Sequence, residues 1–177
     1  MTTEASKKST LDTIANIAII VVCAIAAVVL VRNQFFPAAP ARMPGAPPQV
    51  EKGERFDQLK AIVPAGSDRA LVVAVSPTCH FCDESIPFYK QIIDQRNQKG
   101  SGVKVIAAVP NEAAKAEEAK KFASGGATPD SVVHIDFSTI KVPGTPTLLL
   151  VDNSGKVLDV WVGKQDEKGE KDILEVL

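Results

Sequence analysis

Apolar and polar positions change their rhythm several times along the chain, and each change marks an element. From Ile14 to Val31 the sequence reads IANIAIIVVCAIAAVVLV, apolar apart from Asn16. At about 1.5 Å per residue this stretch makes roughly 27 Å of helix, enough to cross a hydrocarbon core of ~30 Å. Soluble helices carry a polar stripe, and this one has none, so the pattern predicts a membrane helix over 14–31. The run exceeds the ~7–15 residues of a signal-peptide core. Ala39-Pro40-Ala41, a possible cleavage sequence, lies well past it with a proline inside, so a retained anchor is expected. Cys23 follows Ile20-Val21-Val22, which lacks the small residue of a lipoprotein signal; it reads as a small apolar filler. Residues 37–48, PAAPARMPGAPP, hold five prolines in 12 positions. Such a segment favours extended polyproline II, a semi-rigid spacer.

Beyond residue 50 the rhythm is that of a globular head. Phe56, Leu59 and Ile62/Val63 fall at helical spacing in a charged segment. Ala70 to Ser76 is a continuous apolar run, as in a strand buried on both faces. Cys82, Ile86, Tyr89 and Ile93 then recur on one side of an amphipathic helix, with Asp83, Glu84, Lys90, Gln91 and Asp94 on the other. Val103 to Val109 predicts a second buried strand. Asn111 is expected to cap the following helix and Gly125-Gly126 to stop it. Ser131 to Asp136 predicts a short strand. Thr147–Val151 and Val157–Val162 flank the hairpin turn Asp152-Asn153-Ser154-Gly155, and Glu167 to Leu177 predicts a last helix. This order describes an α/β sheet with two parallel central strands and an antiparallel hairpin at one side. The domains expected are a tail (1–13), an anchor (14–31), a Pro/Ala-rich linker (32–50) and one folded head (51–177).

Charge separates the two regions. Residues 1–50 hold four basic and two acidic groups, whereas the remaining 127 residues hold 16 basic and 19 acidic. A formal net charge of −1 excludes a non-specific nucleic-acid binder, which needs a basic stripe for phosphates. Three cysteines exclude a disulfide-stapled mini-scaffold. Lys7 and Lys8 on one side of the apolar run nearly balance Arg32 and Arg42 on the other. The simplest topology leaves residues 1–13 in the cytoplasm and exports the head.

Candidate chemistry centres on Ser76-Pro77-Thr78-Cys79-His80-Phe81-Cys82, between a buried strand and an amphipathic helix. Three residues of helix bring Cys79 and Cys82 to one face, so their sulfurs can close a disulfide. The positive end of a helix favours the Cys79 thiolate, and Cys82, deeper on the apolar face, would be the shielded, resolving thiol. A zinc half-site and an inert structural disulfide are the competing readings. The only histidines, His80 and His134, lack metal-site spacing, so no metal site is expected, and strand–C-x-x-C–helix placement favours redox chemistry. His80 is either a solvated spacer or an imidazolium that favours the thiolate. A second feature is Val142-Pro143-Gly144-Thr145-Pro146-Thr147, where a proline precedes a core strand at an X–Pro bond able to be cis.

With these two motifs together, residues 50–177 resemble the thioredoxin superfamily: a central mixed sheet flanked by helices, here preceded by one N-terminal transmembrane helix. The resemblance implies that Cys79 and Cys82 form a redox-active disulfide, that Pro146 is a cis-proline of the catalytic site, and that Pro87 kinks the active-site helix. Gly144 to Leu150 and Val162-Gly163 look thioredoxin-like. The extra helix and strand between Val109 and Val142, with the anchor, look most like tethered TlpA/ResA-type thiol–disulfide oxidoreductases. Several positions depart from the pattern. Thr78 stands where many relatives have tryptophan, Val73 where thioredoxin has a buried acid, and Ser85 where TlpA-type helices often have glutamate. His80-Phe81 is an uncommon dipeptide between the cysteines. With Thr78, these two are expected to modulate the site and to make exchange slower or partner-restricted.

The expected function is a membrane-anchored enzyme exchanging disulfides with extracytoplasmic proteins, its head on the outer, periplasmic side of a cell (inner) membrane. Thr145 would offer backbone hydrogen bonds to an extended substrate segment. Neither an organic cofactor nor a metal is needed. Protein thiols and disulfides, a membrane or extracytoplasmic redox partner, and the bilayer through 14–31 are the expected partners, with no nucleic acid. The alternatives are a copper-delivery protein of SCO type, whose cysteines are usually spaced C-x-x-x-C beside a histidine, and a non-catalytic adaptor.

Overall fold

A computed structural model of the chain describes residues 17, 19–28 and 48–177. The chain divides into two units, residues 1–46 and 47–177. In the first, residues 17 and 19–28 have helical backbone, and Ile17, Ile20, Val22, Ile25 and Val28 are exposed. No helix among the described residues is long and apolar enough to cross a membrane. The ends of the span expected at 14–31, the tail at 1–13 and the linker as far as residue 47 lie outside the described residues.

In the second unit, the described residues form α1 (Asp57–Ile62), β1 (Arg69–Ala74), α2 (His80–Glu84), α3 (Ile86–Lys99), β2 (Lys104–Val109), α4 (Ala114–Ser124), β3 (Ser131–His134), β4 (Thr147–Asp152), β5 (Val157–Val162) and α5 (Glu167–Glu175). The strands make one sheet in the order β3-β2-β1-β4-β5. β2 runs parallel to β1 and β3, while β4 is antiparallel to β1 and β5. β1 therefore lies in the middle, which explains why its apolar run shows no polar alternation: both faces are covered.

Alternate residues feed two cores. Leu71, Val73, Val105, Val109, Leu148 and Leu150 pack with Tyr89, Ile92, Phe122 and Ile173 from the helices. Ala70, Val72, Ile106, Leu149 and Val151 pack on the opposite face with Leu59, Ile135 and Ile140. Each fully buried Leu or Ile contributes about 1.5–3 kcal/mol, so this two-faced pattern fixes the register of the sheet. In the hairpin, Asp152 accepts from the N–H groups of Ser154 (2.8 Å) and Lys156 (3.1 Å). Gly155 has φ +77°, and a Cβ there would meet the Phe56 carbonyl oxygen at 2.3 Å. Only glycine lets the turn sit so close to α1.

Three departures from the sequence expectation have a local physical cause. The helix through Cys82, Ile86, Tyr89 and Ile93 is divided at Ser85. Pro87 is the reason: it has no N–H for the Asp83 carbonyl, and its ring would clash there in a continuous helix. The regular helix of α4 begins only at Ala114, after a turn at Glu112-Ala113. Asn111 still caps it, its Oδ1 accepting the Ala114 N–H (3.0 Å). β3 ends at His134 rather than Asp136, because the Asp136 carboxylate takes the Ser138 N–H (3.0 Å) and hydroxyl (2.7 Å) into a turn.

Asp130 links three elements. It accepts the Val105 N–H (2.8 Å), pairs with Arg96 and lies 3.6 Å from Lys104. Burial alone would push its carboxyl up, but the Val105 N–H and the two cations outweigh it and hold it below the usual carboxylate range. A depressed folded-state value stabilises the fold above the unfolded pKa, and that contribution is lost as pH falls through the folded value. We expect Asp130→Ala to cost about 1.5–3 kcal/mol near neutral pH. In urea melts of both proteins the difference should shrink below about pH 4. An unchanged difference in acid would contradict the ionised pair.

Candidate active site

The site grows from the end of β1. Val75 donates its N–H to the Ala108 carbonyl (2.9 Å), the chain turns through Ser76-Pro77-Thr78, and Cys79 donates its N–H back to the Ser76 carbonyl (3.0 Å). Cys79 is the N-cap of α2, with φ −92° and ψ 102°. A disulfide joins it to Cys82, with their Cα atoms 5.2 Å apart. Cys82 is 2% exposed and packs with Val73 and Tyr89 in the helix-side core. Cys79 is half-buried at its edge. The Cys82 N–H points at both the Cys79 carbonyl (3.0 Å) and Cys79 Sγ (3.1 Å). In the reduced protein that N–H would stabilise a Cys79 thiolate directly. It matters more than a helix dipole here, because α2 has only five residues.

The other predicted site residues divide into two groups. Thr78 is exposed in the loop, its hydroxyl 3.4 Å from that of Ser76. His80 and Phe81 open α2 with their rings 5.9 Å apart, and Phe81 is 56% exposed. Thr145 and Pro146 come from the far side of the sequence. The Thr145–Pro146 peptide is cis and Pro146 is buried. Its carbonyl accepts the Gly163 N–H (2.7 Å), and Thr147 donates its hydroxyl to the Gly144 carbonyl (2.7 Å). The β1/β4 pairing ends at Ala74↔Thr147. Cys79 and Pro146 therefore leave the same end of the sheet from adjacent strands.

Charged residues surround the motif that sequence reasoning did not find. Glu84 accepts from His80 Nε2 (2.9 Å) and from Lys164 Nζ (2.6 Å). The Lys164 hydrogen bond chiefly holds the Glu84 carboxyl below its ordinary range. The His80 ring therefore faces an anion, which offsets any charge it would lend Cys79. On the other side, Lys121 Nζ donates to the Pro77 carbonyl (2.6 Å) and to Asp83 Oδ1 (2.9 Å). Deeper lies Glu118, 3% exposed. Its Oε1 and Tyr89 Oη are buried without hydrogen-bond partners among the described residues. Burial pushes both groups up. A signal for Glu118 existed: it occupies the middle of the stripe Ala114, Glu118, Phe122, spaced at i, i+4, i+8. Among the described residues, no three His, Cys, Asp or Glu side chains gather to hold a metal ion.

The family model described as a thioredoxin-like domain matches residues 56–176. The chain belongs to the thioredoxin-like family. Solved structures share its fold, the following two among them. A thiol:disulfide interchange protein from a Bacteroides species is 12% identical at TM-score 0.52, covering 71% of this chain and 90% of its own. A thiol-disulfide isomerase from Corynebacterium glutamicum is 18% identical at TM-score 0.50, covering 76% and 97%. No curated protein matches the sequence.

Glu118 generates a prediction about stability. Its carboxyl is pushed up from 4.5, chiefly by burial. An acid whose folded-state pKa is raised loses stability as pH rises through that value. We expect Glu118→Gln to be more stable than wild type at neutral pH, with the advantage vanishing below about pH 4. Thermal melts across pH check this. A variant destabilised at pH 7 would show that the carboxylate is needed in the fold.

Proposed function

We propose that the protein is a thiol–disulfide oxidoreductase anchored in a membrane, acting on the disulfides of extracytoplasmic proteins through Cys79 and Cys82. One observation carries this reading: a half-buried Cys79 is bonded to a buried Cys82 just past the end of the central strand, the same end at which Pro146 enters the neighbouring strand. An inert structural disulfide has no need of an accessible sulfur with an N–H aimed at it.

In the reducing direction the Cys79 thiolate attacks a client disulfide, forming a mixed disulfide and releasing one client sulfur as thiolate. Cys82, deprotonated, then attacks Cys79 Sγ and releases the second client sulfur. The client gains two electrons and the two cysteines lose two. Running the same steps backwards oxidises a client dithiol. Thr145 is half-buried, and its N–H and carbonyl make no backbone hydrogen bond among the described residues. An extended client segment would pair with them by strand addition, next to Pro146. Phe81 and Val162, both more than half exposed, would give that segment apolar contacts. Thr78 and His80 border the same sulfur. The chemistry resides in the cysteine pair and calls for no organic cofactor.

Anchoring rests on the sequence of residues 14–31. Support comes from the exposed side chains of residues 17 and 19–28 in helical backbone, which are uncovered apolar surface of the kind lipid would solvate. The head would then stand outside the cytoplasm, reached by a redox partner in the membrane or beyond it.

Cys82→Ser should accumulate mixed disulfides through Cys79, whereas Cys79→Ser should capture nothing. Non-reducing gels with peptide mapping read this, and capture through residue 82 would reverse the roles. A reporter fused after Leu177 should be active only in the exported compartment. Cytoplasmic activity would refute the topology.

A further inference from the structure

We propose that Lys121 is a positioning residue for the dithiol, holding the turn before Cys79 and placing a cation that favours the Cys79 thiolate. The inference rests on the exchange reading above and adds a residue to its site. Lys121 Nζ donates to the Pro77 carbonyl, two residues before Cys79, and to Asp83 Oδ1, one residue after Cys82. The ammonium thus brackets the C-x-x-C motif from α4, across 44 residues of sequence on one side and 38 on the other. Its side chain is only 25% exposed, so water screens it less than the other lysines near the site. The Asp83 hydrogen bond holds Lys121 further up than an ordinary lysine, so it stays charged while a thiol titrates.

The groups facing Lys121 decide the sign of its effect. Asp83 comes from α2, and Glu117 and Glu118 come from its own helix. His80 is on α2 but is engaged by Glu84, which also holds Lys164. Removing the Lys121 cation leaves the Asp83 anion near the motif and disfavours a thiolate. Removing the Asp83 anion leaves Lys121 facing only the carboxyls of its own helix, Glu117 and Glu118, and favours one. A purely mechanical clasp has a different signature: Lys121→Met removes both hydrogen bonds, whereas Asp83→Asn keeps the Pro77 bond and an Oδ1 that can still accept, so only the first change should act.

The test uses the full-length chain in detergent micelles, equilibrated with glutathione. The reaction read is Cys79–Cys82 disulfide plus two GSH giving the dithiol plus GSSG, with the redox state of that pair followed by peptide mapping. Lys121→Met should shift the constant toward the disulfide by roughly three- to tenfold and raise the Cys79 thiol pKa. Asp83→Asn should shift both the other way, and Lys121→Arg, which keeps the charge, should stay near wild type. No shift for the Met variant, or an Asn variant that stays at wild type or shifts the same way as Met, would overturn the role of the Lys121 cation while wild type still equilibrates. A wild-type pair that does not equilibrate with glutathione would overturn the exchange reading, and this inference with it.

Discussion

Six cross-strand pairs, from Arg69↔Asp152 to Ala74↔Thr147, hold β1 antiparallel to β4. Everything chemical in the molecule depends on where that pairing stops. Because β1 is buried on both faces between β2 and β4, its register is set by two cores at once. A one-residue slip would exchange Leu71 and Val73 with Val72 across the sheet and carry Cys79 away from Pro146. The hairpin turn reinforces the register from the other end, where Gly155 lies against α1 and Asp152 closes the turn.

On this frame the two sulfurs acquire different environments. Cys82 is on the core side of α2, where Tyr89 and Val73 exclude water. Cys79 is at the rim, where the Cys82 N–H and the surrounding side chains set its electrostatics. Those charges are arranged in two compensated groups, His80–Glu84–Lys164 on one side and Lys121–Asp83 on the other. The sequence leaves His80 open between a spacer and a cation beside the thiolate, and it does not show that Glu84, one turn along, faces the ring.

Much of the fold was legible because the continuous apolar run of β1, the helical spacing of α3 and the apolar strands of the β4–β5 hairpin are strong and are flanked by unambiguous turns. C-x-x-C after a buried strand, with a proline before another, also located the site. Long-range pairings were not legible. Lys121 is an ordinary lysine in a lysine-rich helix until α4 docks on the β1–α2 turn. Glu118 was hidden for a different reason: in a helix rich in Ala, Glu and Lys one more glutamate attracts no notice, though its place between Ala114 and Phe122 puts it inside. The break at Ser85 follows from Pro87, which was read as a kink but ends one helix and starts another.

The central claim is that the two cysteines are an asymmetric exchange pair, with Cys79 accessible and Cys82 shielded. Reactivity of each sulfur in the reduced full-length chain measures this most directly. The reduced protein is pulsed with iodoacetamide over a range of pH, quenched, and mapped by mass spectrometry, with Cys23 resolved as a separate peptide. The account predicts that Cys79 is alkylated at least about tenfold faster than Cys82, with a pKa below the ordinary thiol value of about 8.5. Equal rates at the two sulfurs, or a Cys79 titrating at or above that value, would contradict it.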